Sequence, residues 1–225
     1  MSSTLKTELN TMDEKGGMTM PVTLPVLMKT MNVSNGPDLQ VFYPRVVKMQ
    51  NRALEHLINT SIVAKTQELI NLQVNQSPST VVEMLGTYEV KNNQRDVLSL
   101  AFSNYTYYYQ AAHGMTYIKS LTFDLKQRKL LQLKDLFKSD SDYINRISSL
   151  IKVQIAERDI PLLEEFTTIQ PDQDFYIADK TLVIYFQLYE LTPYVFGFPM
   201  FPLSVYDLQD IIIEDGPLGR LSQNN

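Results

Sequence analysis

The amino-acid sequence predicts an α+β fold: antiparallel sheets, each covered by a helix, in two similar helix-plus-meander halves that share a core. Two stretches, residues 51–74 and 141–158, each carry one apolar stripe at helical spacing. Each is followed by several strand-like runs separated by short polar turns. The third ground is residues 181–206, TLVIYFQLYELTPYVFGFPMFPLSVY, the most apolar and aromatic run of the chain. Such a run needs both a sheet and a helix to cover it. No sequence repeat relates the halves, so their likeness is one of pattern.

With 225 residues, 44% hydrophobic and 20% charged, the chain can bury one large domain or two small subdomains with a common core. Its net charge is −5, and no long basic run supports non-specific nucleic-acid binding. Cysteine is absent, which excludes disulfides, thiolate metal sites and a cysteine nucleophile. Tryptophan is absent too, so 13 tyrosines and 10 phenylalanines carry the aromatic surface. Tyrosine's polar end suits half-buried faces. No stretch approaches the ~20 apolar residues of a membrane-spanning helix, so no membrane insertion is expected. Residues 1–20 are polar, are broken by Gly16 and Gly17, and read as a flexible arm rather than a secretory leader. The chain as it stands reads as cytoplasmic or spore-associated unless a leader has been removed.

Residues 21–110 are expected to form the N-terminal subdomain. It opens with an edge strand over Pro21–Val33, a turn at Asn35–Asp38 and a short strand over Leu39–Tyr43. The first helix carries Leu54, Leu57, Ile58, Ile62, Leu69 and Ile70 on its stripe, Asn51 as cap and Glu55 in its first turn. Ser77–Pro78 closes that unit. Strands follow over Val81–Val90 and Val97–Gln110, with Asn92–Asn93 as the turn and Gly86 as a bulge or close approach.

Residues 111–215 are expected to form the C-terminal subdomain, and 216–225 a polar tail. A strand over Met115–Leu125 leads to an extended piece, Leu130–Phe137. The second helix buries Tyr143, Ile144, Ile147, Leu150, Ile151 and Ile155, capped by Asp140 or Ser141. Pro161 ends it or begins a short helical turn to Phe166. A hairpin of Phe175–Ala178 and Leu182–Tyr189 turns on Asp179–Lys180, and Pro193 stops its second strand. A last strand is expected over Leu208–Glu214.

No residue set spells a reaction. The two histidines have no nucleophile–base partner in the sequence, and no G-x-S-x-G elbow, metal-ligand spacing or glycine-rich phosphate loop is present. No catalytic residue, cofactor or metal is therefore expected. His56 reads as a helix-surface residue. His113, in Ala111-Ala112-His113-Gly114, closes the tyrosine strand. Tyr105, Tyr107 and Tyr109 share one face of that strand. They form either one wall of a core or a half-exposed binding face. Tyr189 and Tyr194 flank the Pro193 break. If the two segments end side by side, Tyr109, His113, Tyr189 and Tyr194 form one aromatic lip; otherwise Tyr189 and Tyr194 plug the core.

Specific blocks carry a resemblance. Val41-Phe42-Tyr43-Pro44-Arg45-Val46 before a helix containing Ile58-Asn59 resembles the opening of a domain of unknown function in Bacillus envelope proteins. Ala112-His113-Gly114, Leu121-Thr122-Phe123-Asp124-Leu125 and Leu133-Lys134-Asp135-Leu136-Phe137 resemble its usual C-terminal companion. So do Leu182-Val183-Ile184-Tyr185-Phe186, Tyr189-Glu190-Leu191-Thr192-Pro193-Tyr194 and Gly197. The likeness covers roughly residues 21–208. The family is similar to the ectodomain of a lysozyme-sensing anti-sigma factor and to the non-catalytic N-terminal part of a peptidoglycan deacetylase. Where the family often has paired glycines before its histidine, this chain has Ala111 and Ala112. The resemblance implies an α+β fold and a non-enzymatic recognition role, with a lysozyme-like protein or a glycan of the cell envelope or spore as partner. The rival expectation is a self-associating layer protein, a homo-oligomer or polymer pairing through edges such as Pro21–Val33 or Ile211–Glu214.

Overall fold

The computed structural model describes residues 24–75 and 80–223. The expected arm over residues 1–20 and the Ser77–Pro78 break lie outside them. The order is β1 (Leu27–Ser34), β2 (Leu39–Val47), α1 (Arg52–Asn75), β3 (Val81–Gln94), β4 (Val97–Tyr108), β5 (Met115–Asp124) and β6 (Lys129–Leu130). Then come α2 (Tyr143–Glu157), β7 (Phe175–Ala178), β8 (Thr181–Tyr185), β9 (Met200–Ser204) and α3 (Pro217–Ser222). Strands β1 to β6 form one sheet in sequence order, and β7, β8 and β9 form a second. The α+β class holds, with one helix on each sheet.

α1 begins where the Asn51 side chain accepts the Leu54 N–H at 3.0 Å and Glu55 accepts the Met49 N–H at 2.8 Å. Leu54, Ile58, Ile62 and Leu69 are buried against Leu98, Leu100, Phe102, Leu121 and Phe123 of the large sheet. Midway along, the Asn59 amide clasps the Val46 backbone, accepting its N–H at 2.8 Å and donating to its carbonyl at 2.9 Å. Because α1 is a crossover, β2 and β3 pair in parallel, an exception to the antiparallel expectation. Gly86 sits opposite Val41, and a Cβ there would fall 2.5 Å from a Val41 methyl. It marks a close approach.

The β3–β4 turn is not at Asn92–Asn93. β3 continues to Gln94, and Arg95 and Asp96, both at positive φ (51° and 57°), make the two-residue turn. Asn92 and Asn93 are buried instead. Asn93 accepts the Val26 N–H at 3.1 Å and donates to the Val26 carbonyl at 2.8 Å, serving as a strand partner where no strand runs. Asn92 donates to the Val97 carbonyl at 2.7 Å.

In the second half Asp142, and neither Asp140 nor Ser141, caps α2 by accepting the Asn145 N–H at 3.3 Å. Ile147 and Ile151 drive α2 into a core with Ile177, Leu182, Ile184, Phe201 and Leu203 of the small sheet. Val97 of β4 belongs to this core too, which joins the halves. The hairpin over Asp179–Lys180 is as expected, but β8 stops at Tyr185. Pro202 lies inside β9, an edge strand paired only with β8, where the missing N–H costs no ladder bond. Residues 161–166 form no helical turn, and residues 133–136, expected to be extended, form a 3-10 turn.

Two expectations at the C-terminus are corrected. Residues 208–214 form no strand: a 3-10 turn covers 205–208, and Ile212 makes one isolated bridge to Phe137. The expected polar tail folds as α3, starting with Gly216 and Pro217 and burying Leu218 and Leu221. Arg220 then reaches the large sheet, meeting the fully buried Asp124 carboxylate at 3.0 and 3.3 Å. It also donates to the Arg95 carbonyl, and Arg95 donates to the Arg220 carbonyl.

Two outcomes follow for stability. Ile58→Ala should cost about 2–5 kcal/mol, the range for truncating a buried aliphatic side chain; a loss under about 0.5 kcal/mol in denaturant titration would place Ile58 outside the core. Arg220→Met should cost about 3–5 kcal/mol, because it leaves a buried carboxylate without its cation. Adding Asp124→Asn should then recover part of that loss, and an additive double mutant would contradict the pairing.

Candidate recognition site

Two loops meet beside the outer edge of β5. β6 covers that edge only at Phe123 and Asp124, so the backbone near Ile118 needs another partner. Gln187 supplies it: its side-chain oxygen accepts the Ile118 N–H at 3.0 Å, and its amide donates to the Ile118 carbonyl at 2.7 Å. The same amide reaches Asp174 at 3.0 Å, and Asp174 pairs with Lys119 at 2.9 Å. Below, Ser120 donates to the Phe175 carbonyl, Tyr185 donates to Ser120 at 2.9 Å, and the Ile177 N–H donates to Ser99 at 3.0 Å. Burial first, then the Asp174 carboxylate, pushes the Tyr185 phenol well above its usual pKa.

This docking carries residues 186–197 next to residues 109–114, the turn joining β4 to β5 within one sheet. Tyr189 stands at φ 65°, a left-handed conformation rare for an aromatic residue, with Glu190 closing the turn onto the Gln187 N–H at 2.6 Å. Pro193 then leads into a 3-10 turn over Tyr194–Phe196, ended by Gly197 at φ 81°. Opposite, Gln110 is at φ 59° and Tyr107 donates to the Ala111 carbonyl at 2.8 Å. Gly114 is buried so closely on the Tyr105 ring that any Cβ would overlap it.

The rings of His113 and Tyr194 lie 4.3 Å apart, and those of Tyr189 and Tyr194 5.4 Å apart, each pair tilted by 31°. Tyr194 donates to the Gly114 carbonyl at 3.0 Å. The same carbonyl lies 2.9 Å from His113 Nδ1, so that nitrogen carries the proton. The other ring nitrogen, Nε2, lies 3.3 Å from the Tyr189 hydroxyl, within hydrogen-bond reach. Tyr105 packs beneath; burial, then Glu83, Tyr194 and Tyr107, raise its phenol pKa.

Of the six residues singled out from sequence, His113, Tyr189 and Tyr194 touch one another, while Tyr105 and Tyr107 brace the β4–β5 turn from below. Tyr109 stands apart, 61% exposed, its ring pairing with no other among the described residues. Sequence reasoning passed over Val195 and Phe196, at the tip of the turn; Val195 is 92% exposed. Their position between Pro193 and Gly197 was the available signal, since such a turn can present apolar side chains outward. It also passed over Gln187, the residue that holds the loop.

Beside Tyr189 runs a groove of about 480 Å³ bordered by Glu164, Glu165 and Glu190. Among the described residues no three His, Asp or Glu side chains gather as a metal site. Both His113 nitrogens are engaged, by a carbonyl and a phenol. The arrangement offers stacking faces, hydroxyls and an apolar tip, which are means of recognition.

Residues 134–206 match the family model described as protein of unknown function (DUF3298). Over 191 residues the chain is 30% identical to the anti-sigma-V factor RsiV of Bacillus subtilis, spanning 78% of this chain and 66% of RsiV. Residues 134–206 carry a DUF3298 domain, and the chain is RsiV- and PdaC-like. It is also 25% identical over 134 residues to the peptidoglycan-N-acetylmuramic acid deacetylase PdaC of Bacillus subtilis, spanning 56% of this chain and 28% of PdaC. The chain thus spans just under two thirds of RsiV and less than a third of PdaC. A solved DUF3298 protein from Bacteroides fragilis superposes with a TM-score of 0.65 at 14% identity, covering 89% of this chain and 98% of that one. Another from Pseudomonas aeruginosa gives 0.62 at 13%, covering 86% and 96%. These two establish the DUF3298 fold alone. The matched segment contains Tyr189 and Tyr194, while His113 comes from the preceding hairpin.

Replacing Gln187 by Ala should free the Ile118 amide. Native-state hydrogen exchange should show it exchanging about fivefold faster, the equivalent of one lost bond of ~1 kcal/mol. An unchanged Ile118 rate would mean that the clasp does not hold the loop.

Proposed function

We propose that this chain is a non-enzymatic recognition domain of the bacterial cell envelope, and that it binds a lysozyme-like protein through the loops at His113 and Tyr189–Phe196. The carrying observation is the exposed pair Val195 and Phe196, in the same turn as Tyr194, whose ring meets those of His113 and Tyr189. An exposed apolar tip on a braced loop fits a pocket on a protein partner, with aromatic rings around it as anchors. The three glutamates of the adjoining groove favour a cationic partner surface. Similarity to the anti-sigma factor RsiV supports the envelope-sensing role, and similarity to PdaC agrees with an envelope setting. A glycan could stack on the same rings, but a projecting tip suits it less than a cleft would.

The self-associating alternative has one observation in its favour. β1 is an edge strand whose Leu27 and Val33 are about half exposed, 48% and 50%. Light scattering of the isolated chain separates the two, since large ordered assemblies without added partner would favour pairing through β1.

Calorimetric titration with a cationic lysozyme, and in parallel with soluble peptidoglycan fragments, tests the recognition reading. His113→Ala with Tyr189→Ala should weaken lysozyme binding by about 2 kcal/mol or more, roughly thirtyfold. The unfolding midpoint should barely move, since both side chains are exposed. Lysozyme binding that survives the double change would place the site elsewhere, and binding of peptidoglycan alone would favour the glycan reading.

A further inference from the structure

We propose that the opposite end of β5 carries a second interaction surface, one that binds a linear polyanion. Residues 126–138 hold Lys126, Arg128, Lys129, Lys134 and Lys138 against a single carboxylate, Asp135. That segment carries +4 in a chain of −5, so the other 212 residues sum to −9. The charge is concentrated against the sign of the whole molecule, which marks a steering surface.

The structure gathers these cations. The β5–β6 turn presents Lys126 and Arg128, and the 3-10 turn over Leu133–Leu136 presents Lys134; all five basic side chains are exposed. Lys129, Lys134 and Lys138 line an open groove of about 870 Å³ with Ser139, Ser141 and Tyr143. Two carboxylates, Asp135 and Asp140, share that groove. Asp135 is bound by Lys129 at 2.7 Å and by the Gln132 N–H at 2.8 Å. Lys138 leans on the Asp210 carbonyl at 2.7 Å. Lys126, Arg128 and Lys134 form no close ion pair among the described residues, although, against burial, Lys134 helps Lys129 to lower the Asp135 carboxyl pKa.

A buried carboxylate braces the presenting turn. Asp124, buried and held by Arg220, accepts the N–H groups of Lys126 and Gln127, both at 3.0 Å. The backbone that carries Lys126 and Arg128 is therefore held in place. Four of the five are lysines, which act as point charges without the planar fork that selects one oxyanion geometry. Such a surface reads charge density along a chain. Its concavity fits a polymer laid through the groove better than a flat bilayer. β5 has ten residues, so this surface lies roughly 30 Å from the His113 loop at the other end of the strand. A chain fixed to a polyanion at one end could engage a partner at the other.

The test uses long-chain inorganic polyphosphate and polyglutamate as probes, followed by fluorescence anisotropy from about 50 to 200 mM salt, a range over which polyanion binding weakens steeply. Lys126→Gln, Arg128→Gln and Lys134→Gln together remove three exposed cations that form no close ion pair. The slope of log affinity against log salt should fall by about one for each, hence by about three. A matched triple at exposed Lys29, Lys48 and Lys152 should leave the slope near its original value. Binding of polyphosphate alone would assign phosphate as the recognised group, binding of polyglutamate alone would assign carboxylate, and either supports the surface. His113→Ala with Tyr189→Ala should bind the probes as the unaltered chain does. The proposal is overturned if neither polymer binds, if the control triple loses as much, or if only phosphatidylglycerol vesicles bind.

Discussion

The free outer edge of β5 sets the arrangement of this molecule. A strand edge left bare would present unpaired backbone groups to any other chain. Here it is answered by side chains of the second sheet and its loops: Gln187 at Ile118, and Ser120 with Phe175 and Tyr185. These bonds are directional, so they fix position as well as satisfy polarity. The apolar core around Ile177, Ile184 and Val97 supplies cohesion between the halves without dictating register. The hydrogen bonds along β5 supply the register, and the register places Tyr194 against His113.

The far end of the same strand repeats the logic with charge. Asp124 is fully buried, and it is tolerable there because Arg220 and two backbone N–H groups share its lone pairs. Arg220 comes from α3, so the final helix locks the turn of one sheet to the core of the other. The two turns that leave β5 are thus the braced points of the chain, and each presents distinctive chemistry: rings and an apolar tip at one end, exposed cations at the other.

Much of the fold could be read from residue spacing. Both large helices announced themselves through apolar residues at helical period, as did the hairpin at Asp179–Lys180 through its polar turn. The failures share a physical origin. Arg95 and Asp96 take up left-handed conformations without glycine, so the buried asparagines beside them looked like the turn. Pro202 within β9 is acceptable only at an edge, which depends on sheet order. α3 is too short for periodicity to show, and its stability rests on Leu218, Leu221 and a partner nearly a hundred residues away. Asn59, Asn93 and Gln187 clasp distant backbone and have no local signature. His113, Tyr189 and Tyr194 were visible because strand-breaking residues flank them. Val195 and Phe196 were not, because an apolar pair reads as core until its exposure is known.

The central claim is that the two loops beside β5 act as one surface. Hydrogen-exchange footprinting of the chain, free and with a bound cationic lysozyme, addresses it directly. Protection should rise in both residues 110–114 and residues 188–197, with β1 and the β5–β6 turn unaffected. Protection confined to one loop, or concentrated on β1, would contradict it.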